Sequence, residues 1–353
     1  MSRLNQASEV IQLASELGVD WRHEPVANII RHCTNRIRNW VGDACEVETI
    51  VDLEILVCQK LRLVFEELWS DDDLDRIINK YVALKEPVFA TLRSEFDDHT
   101  FATLLERRRV TPEAPDRYVA VIDCRGTKAF RRFFTRWHEV AHLLTLPRQL
   151  EFPFHRSTTD RSPLEQLMDT IAGEIGFYEP IFAPAVKTEL SHNRRLSFAA
   201  VEGIRSRFCP IASFQATLVA ALRRVKTPAI FIEAGLGLKK REQEMLRSNQ
   251  LSLFPTTAPV ARLRVIKTNP NDAARKCGLR IDKNMLVPTA SAITGCFMAD
   301  HDSEAKSTIA VESLATWRHS NGEAIGTGLV QIETRFFRDS VIALIQPVTT
   351  RLG

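Results

Sequence analysis

A predicted helix that carries His138, Glu139 and His142 in the order H-E-x-x-H sets the first requirement on any fold of this chain. Apolar residues at three- and four-residue spacing predict that this helix covers 127–146 and ends at Pro147. Because residues four apart lie on one face of a helix, the two imidazoles can point at one metal ion. A catalytic zinc needs three protein ligands and an open position for water, so the fold must supply a third ligand.

A second helix, predicted to begin around Leu164 just after Pro163 and to run to about Glu179, offers that ligand. It carries Glu165 and Asp169, which are four residues apart and therefore share a face. One carboxylate on that face can bind metal while the other supports a ligand. Glu165 would complete a His/His/Glu set, and Asp169 could accept the free ring N–H of a metal-bound histidine. In such a site Glu139 is the general base that takes the proton of the attacking water.

The spacing of these residues resembles that of the gluzincins, the thermolysin-like zinc peptidases, in which H-E-x-x-H precedes E-x-x-x-D. Here twenty-two residues separate His142 from Glu165. The segments RYVAVIDCRGTKAFRRFFTRWHEVAHLL and LEQLMDTIAGEI resemble the strand, motif helix and third-ligand helix of the ImmA/IrrE family of metallopeptidases. The similarity extends over residues 117–225, where CPIASFQATLVAALRRV is loosely similar to a later helix of that family. Met168 replaces the usual small residue and Pro180 is displaced, and both departures affect packing rather than ligands.

The resemblance implies a zinc-dependent endopeptidase that holds one Zn²⁺ per chain. It also implies that Asp169 supports His138, although the sequence alone does not say which histidine Asp169 touches. Members of this family act on helix-turn-helix repressors, and the resemblance implies a protein substrate of that kind, whose cleavage would release a stress, mobile-element or defence response. It does not identify the repressor.

We expect an α+β protein built from three regions. Residues 1–110 are predicted to form a helical N-terminal region, because apolar residues recur at helical spacing through most of it. By the resemblance, residues 111–225 form a thermolysin-like minimal metallopeptidase core with a short sheet and the active-site helices. The β-branched runs after Ala229 predict a β-rich C-terminal region over 226–353. That region has no second catalytic motif, so we expect it to sense a signal or to recruit substrate.

Further side chains near the motif are candidates for roles in binding and catalysis. The segment from Tyr118 to Asp123 alternates as a short strand, and we place it at the cleft edge, where it would align an extended peptide by β-augmentation. His155, Arg156 and Tyr178 are candidate transition-state donors, because each flanks the third-ligand helix or its loop. For each of the three, loop capping or aromatic packing is the favoured interpretation.

Composition favours a globular protein of a reducing compartment. Hydrophobic residues make up 44% and charged residues 26%, a balance that allows a sizeable core. The seven cysteines form no C-x-x-C pair, which argues against a disulfide framework or a zinc ribbon. The start MSRLNQASEV lacks a signal-peptide pattern, and no run approaches the roughly 20 apolar residues of a membrane span. We therefore expect a cytoplasmic protein with no membrane partner.

Charge is small in total but unevenly placed. The net charge of +3 is too small to indicate nucleic-acid binding, so direct binding is not expected. Ten acidic residues lie between Glu46 and Asp75, which we interpret as solvated helix faces, with a partner-docking surface as the alternative. Five basic residues lie between Arg125 and Arg136. We interpret them as the solvent face of the motif helix, with a grip on nucleic acid or an acidic substrate as the alternative.

Three functions remain compatible with these patterns. The chain is a peptidase that cleaves a repressor, a metal-bearing module that sequesters a regulator without cutting it, or a peptidase of an unrelated substrate. Substitution of Glu139 separates the first two, because sequestration needs no general base.

Overall fold

The fold was obtained as a computed structural model. It describes residues 3–44, 46–112, 114–146, 154–157, 162–193, 195–239, 242, 244, 260–299, 307–319 and 321–348. The backbone alone is described at 154–157 and at 192–193. Helices and two sheets are both present, which confirms the expected α+β class.

Helices make up most of the first two thirds of the chain and strands most of the last third. The helices are α1 (Ser8–Glu16), α2 (Pro25–Gly42), α3 (Ile50–Leu61), α4 (Asp71–Ala83), α5 (Leu92–Glu95), α6 (Arg132–Thr145), α7 (Pro163–Gly176), α8 (Glu179–Asn193), α9 (Phe198–Phe208), α10 (Phe214–Arg224), α11 (Asp272–Lys276) and α12 (Ala292–Met298). The strands are β1 (Leu63–Leu68), β2 (Thr100–Glu106), β3 (Tyr118–Asp123), β4 (Phe154–Ser157), β5 (Ile230–Gly237), β6 (Arg262–Pro270), β7 (Thr308–Ser313), β8 (Leu329–Phe337) and β9 (Ser340–Pro347).

The chain forms two compact units. The first consists of Met1–Lys187 and Ile204–Phe214, and the second of Thr188–Gly203 and Gln215–Gly353. These units differ from the expected regions, because the N-terminal region and the motif helices share one unit. The expected C-terminal region likewise shares its unit with residues from α8, α9 and α10.

The first unit contains a four-stranded sheet in the order β1-β3-β2-β4. β1 and β3 are parallel, with Leu63 opposite Tyr118 and Leu68 opposite Asp123. β2 pairs antiparallel with β3 on one side and with β4 on the other. β3 is buried from its second residue to its last, as expected for a central strand covered on both faces. The predicted strand from Tyr118 to Asp123 is therefore confirmed.

The expected place of that strand at the edge of the cleft is wrong. β3 lies between β1 and β2, and its backbone already bonds to a strand on each side. A peptide can be added to an edge strand but not to a central one. Among the strands described, β1 and β4 form the edges of this sheet, and β4 is the strand that precedes α7 along the chain.

The expectation of a wholly helical N-terminal region is wrong at β1 and β2. α3 ends at Leu61 and is capped by Arg62, which takes the left-handed conformation with φ of 56°, and β1 begins at the next residue. β2 is buried at six of its seven residues, so it lacks the polar alternation that marks a half-buried strand. The helices on either side of β1 begin as their sequences favour, with capping boxes of Thr49 with Asp52 and Ser70 with Asp73.

α6 and α7 pack against each other in opposite directions and confirm the two helices predicted around the motif. Gly176, the last residue of α7, lies against Trp137 of α6, which is fully buried. A Cβ atom at Gly176 would lie 2.9 Å from Trp137 Cδ1, so this close approach requires glycine. Towards the other end of the pair, Thr145 Oγ1 lies 3.4 Å from Met168 Sδ.

The second unit contains a five-stranded antiparallel sheet in the order β6-β5-β9-β8-β7. One face packs on α11 and α12 through a core that includes Ile232, Ile293, Trp317 and Ile332. On the other face, Glu333 accepts the backbone N–H of Phe198, which opens α9. Within the described part of the chain, no helix is both long enough and apolar enough to cross a bilayer.

Candidate metal centre

α6 carries both histidines of the motif into the interior of the first unit. His138 is 1% exposed and His142 is 9% exposed. The two histidines are four residues apart, which is about one helical turn, so both rings leave α6 on the side that faces α7. Their ring centroids are 4.9 Å apart, and the two Nε2 atoms are 3.1 Å apart.

The start of α7 is what places the carboxylate beside these rings. The hydroxyl of Ser162 caps the helix by accepting the backbone N–H of Glu165 at 3.2 Å, and Pro163 occupies the first turn. Glu165 therefore lies at the third residue of α7, where the helix N-terminus also favours a negative charge. Its two oxygens reach the two imidazoles, with Oε2 2.9 Å from His138 Nε2 and Oε1 3.2 Å from His142 Nε2.

These three side chains form a group that can hold a metal ion. One donor atom from each of His138, His142 and Glu165 lies within 4.8 Å of the other two. Burial works to raise the pKa of Glu165, but hydrogen bonds and charge from His138 and His142 outweigh it and hold that pKa well below its usual range. The carboxylate is thus ionised, as a metal ligand must be.

Asp169 lies behind His138, one turn of α7 beyond Glu165. Its Oδ1 is 2.9 Å from His138 Nδ1, and the other ring nitrogen of His138, Nε2, faces Glu165. A carboxylate at this place favours the tautomer with the proton on Nδ1 and leaves Nε2 as a donor to metal. Of the two histidines of the motif, Asp169 therefore contacts His138, and its support of a metal ligand stays a prediction.

Glu139 follows His138 on α6 and is 1% exposed. At about 100° per residue, it leaves the helix about 100° from His138 and about 60° from His142. The motif therefore places a third ionisable side chain next to the donor group.

The three candidate transition-state donors are placed differently. His155 and Arg156 lie on β4, opposite Thr103 and Ala102 of β2, and their side chains are outside the described part of the structure. Tyr178 lies two residues beyond the C-terminal end of α7, whereas Glu165 lies at the N-terminal end. The helix rise puts roughly 16 Å between the two ends. Burial raises the pKa of Tyr178, and its hydroxyl bonds to Arg38. Tyr178 is therefore not brought to the donor group.

Two arginines that hold α6 in place were not identified from the sequence. Arg36 of α2 donates to the carbonyl oxygen of Leu144 at 2.8 Å, which satisfies a carbonyl in the last turn of α6. Arg136 bonds to Glu54 and Glu67 and does not lie on a solvated face as expected. Their partners are far away along the chain, so no local pattern indicated either contact.

The basic run is largely paired within the protein. Arg125 and Lys128 both bond to Asp123, which is 1% exposed, and Arg132 bonds to Glu67. Burial works to raise the pKa of Asp123, but the hydrogen bonds from Arg125 and Lys128 lower it below its usual value. This arrangement disfavours the alternative in which the run grips nucleic acid.

Comparison with known proteins adds no family to this geometry. No family model matches the chain, and no curated protein has a matching sequence.

Proposed function

We propose that the chain is a zinc-dependent endopeptidase in which His138, His142 and Glu165 hold the metal and Glu139 is the general base. The observation that carries this proposal is the convergence of two imidazoles and one carboxylate from two helices, with Asp169 behind one imidazole. Two histidines and a glutamate are the ligand set of a catalytic zinc that keeps one position open.

The separations between the donor atoms fit zinc. Ligand atoms about 2.0–2.1 Å from a tetrahedral zinc lie roughly 3.3 Å from one another. The distances from His142 Nε2 to His138 Nε2 and to Glu165 Oε1 are 3.1 and 3.2 Å. A zinc ion held by these residues supplies a Lewis acid for the scissile carbonyl and makes water acidic near neutral pH.

The residues of the chain have separate tasks in this proposal. The carboxylate of Glu139 accepts the proton of the attacking water and passes it to the leaving amine. Asp169 holds the ring of His138 in one tautomer and one orientation. An extended peptide would add to the outer side of β4, which lies at an edge of the sheet among the described strands.

The proposed substrate is a helix-turn-helix repressor in the cytoplasm. Its support is the resemblance of residues 117–225 to the ImmA/IrrE family, together with the absence of a membrane-spanning helix in the described part of the chain. Cleavage of such a repressor would release a stress, mobile-element or defence response. The second unit, with its five-stranded sheet, is the proposed part that senses a signal or recruits the substrate.

The test compares wild-type protein with Glu139→Gln. We expect both proteins to contain about one zinc per chain by elemental analysis, because the three ligands remain. Terminal-peptide mass spectrometry of cells that express each protein should find new peptide ends with wild type. The variant should produce them at least about 100-fold less, since an amide cannot accept the proton.

Two outcomes contradict the proposal in different ways. Wild-type protein that is purified without chelator and contains no metal removes zinc from the site. If Glu139→Gln supports the same cellular response as wild type without new peptide ends, the chain acts by sequestering its partner. His138→Ala is the matched control, because it should lose metal as well as cleavage.

A further inference from the structure

Arg136 precedes His138 by two residues on α6 but leaves the helix on the opposite side. At about 100° per residue, the two side chains are about 200° apart around the helix axis. The Nε and Nη2 atoms of Arg136 donate to the two carboxylate oxygens of Glu54 on α3, at 2.8 and 3.0 Å. Its Nη1 donates to Glu67 of β1 at 2.7 Å. The guanidinium thus ties the far side of α6 to one helix and one strand.

This cluster is enclosed by the protein. The side chains of Arg136, Glu54 and Glu67 are 19%, 9% and 21% exposed. The guanidinium carbon also lies 4.2 Å from the centre of the Phe65 ring.

A buried ion pair of this kind fixes geometry more than it adds stability. Replacement of both partners by apolar residues of similar size is often neutral for folding, because each charge also costs desolvation. A forked guanidinium–carboxylate contact, however, is directional and permits one arrangement of the elements that carry it. Held by such a contact, α6 has little freedom to rotate about its axis.

We propose that Arg136 is a positioning residue of the metal centre, which through Glu54 and Glu67 sets the rotation of α6 and so the directions of His138 and His142. This inference rests on the proposed function of the same site. α6 meets α7 at the metal ligands on one side and meets α3 and β1 at Arg136 on the other. Changes in the residues that orient ligands typically cost about 10- to 100-fold in metal affinity.

The experiment uses the full chain with the double substitution Arg136→Met/Glu54→Met, which removes both charges of the forked pair together and leaves Glu67 its ion pair with Arg132. We expect its zinc affinity, measured by competition with a chromophoric chelator, to fall at least about 10-fold. The thermal midpoint of the metal-free protein should change by a few degrees at most. Arg136→Lys keeps the charge but loses the fork, so we expect an intermediate loss of affinity.

The matched control is Glu106→Met/Arg117→Met, which removes an Arg–Glu pair of 2.7 Å elsewhere in the same unit. It should keep wild-type affinity. A folded Arg136→Met/Glu54→Met variant with wild-type zinc affinity overturns the inference. If that variant does not fold, the zinc affinity of Arg136→Lys is the test. Wild-type zinc affinity in Arg136→Lys then overturns the inference.

Failure of the proposed function is recognised separately, because wild-type protein would then bind no zinc. In that case the positioning role of Arg136 is tested by NMR of the metal-free protein, through the ring-nitrogen signals of His138 and His142. Ring signals that shift in Arg136→Lys but not in the Glu106→Met/Arg117→Met control support positioning by Arg136. Ring signals that are unchanged in Arg136→Lys overturn it.

Discussion

Asp169 is the residue whose effect on the centre is easiest to isolate. It bonds to His138 but its side chain is 52% exposed, so its removal leaves no cavity. We predict that Asp169→Ala lowers zinc affinity about 10- to 100-fold without loss of folding, because the ring of His138 is no longer held in one tautomer. Chelator competition and circular dichroism measure the two effects.

The neighbouring Thr170→Ala is the control for that measurement. The hydroxyl of Thr170 donates to the carbonyl oxygen of Gln166 within α7 and does not take part in the donor group. Its zinc affinity should equal that of wild type. Equal affinities in all three proteins would mean that the bond between Asp169 and His138 has no part in metal binding.

The donor group could be predicted from the sequence because its geometry is local. His138 and His142 are one turn apart, and so are Glu165 and Asp169, so each helix presents its pair on one face. The contacts of Arg136 could not be predicted, since Glu54 is 82 residues away and an arginine in an amphipathic helix is usually solvated.

The contact between α6 and α7 depends on a glycine, and a second glycine in α7 allows a controlled test. We predict that Gly176→Ala destabilises the first unit by about 1–3 kcal/mol, because its Cβ would lie 2.9 Å from the fully buried Trp137. The displaced helix should also bind zinc more weakly. At Gly173 a Cβ would lie 4.0 Å from Phe134 Cε2, an ordinary contact.

Gly173→Ala should therefore stabilise the helix by about 0.5–1 kcal/mol through its better helix propensity, and should keep zinc affinity. Urea unfolding of the metal-free proteins, followed by the fluorescence of their tryptophans, measures both free energies. Equal stability of the two variants would show that α7 moves away from Trp137 without cost.

At the level of elements, the motif helices, β3 and the strands after Ala229 matched the sequence patterns, and β1 and β2 did not. The run LRLVFEEL has spacing that also suits a helix, and what makes it a strand is its parallel pairing with β3, about fifty residues later. The acidic and basic runs likewise appeared independent in sequence. Glu54, Glu67 and Asp71 of the acidic run in fact pair with arginines of the basic run.

The second unit limits how its role can be tested. β5 lies between β6 and β9 in the sheet, and β6 begins at Arg262. A chain that ended near residue 250 would keep β5 but lose both of its neighbours, which would leave a long unpaired strand with apolar side chains. A truncation of that kind reports on a broken sheet, so the second unit has to be weakened in place.

Trp317→Ala weakens the second unit without removing any of its strands, because Trp317 is fully buried in the core between the sheet and α12. We predict a loss of about 3–5 kcal/mol in the unfolding free energy of the second unit. Zinc affinity and cleavage of a short peptide from the substrate should stay at the wild-type level, since the ligands all belong to the first unit. Cleavage of the intact repressor should fall if the second unit recruits it.

Val311→Ala, at a side chain 59% exposed on the same sheet, is the control and should alter none of these measurements. Unchanged cleavage of the intact repressor at a temperature where the second unit of Trp317→Ala is unfolded would show that this unit does not recruit the substrate.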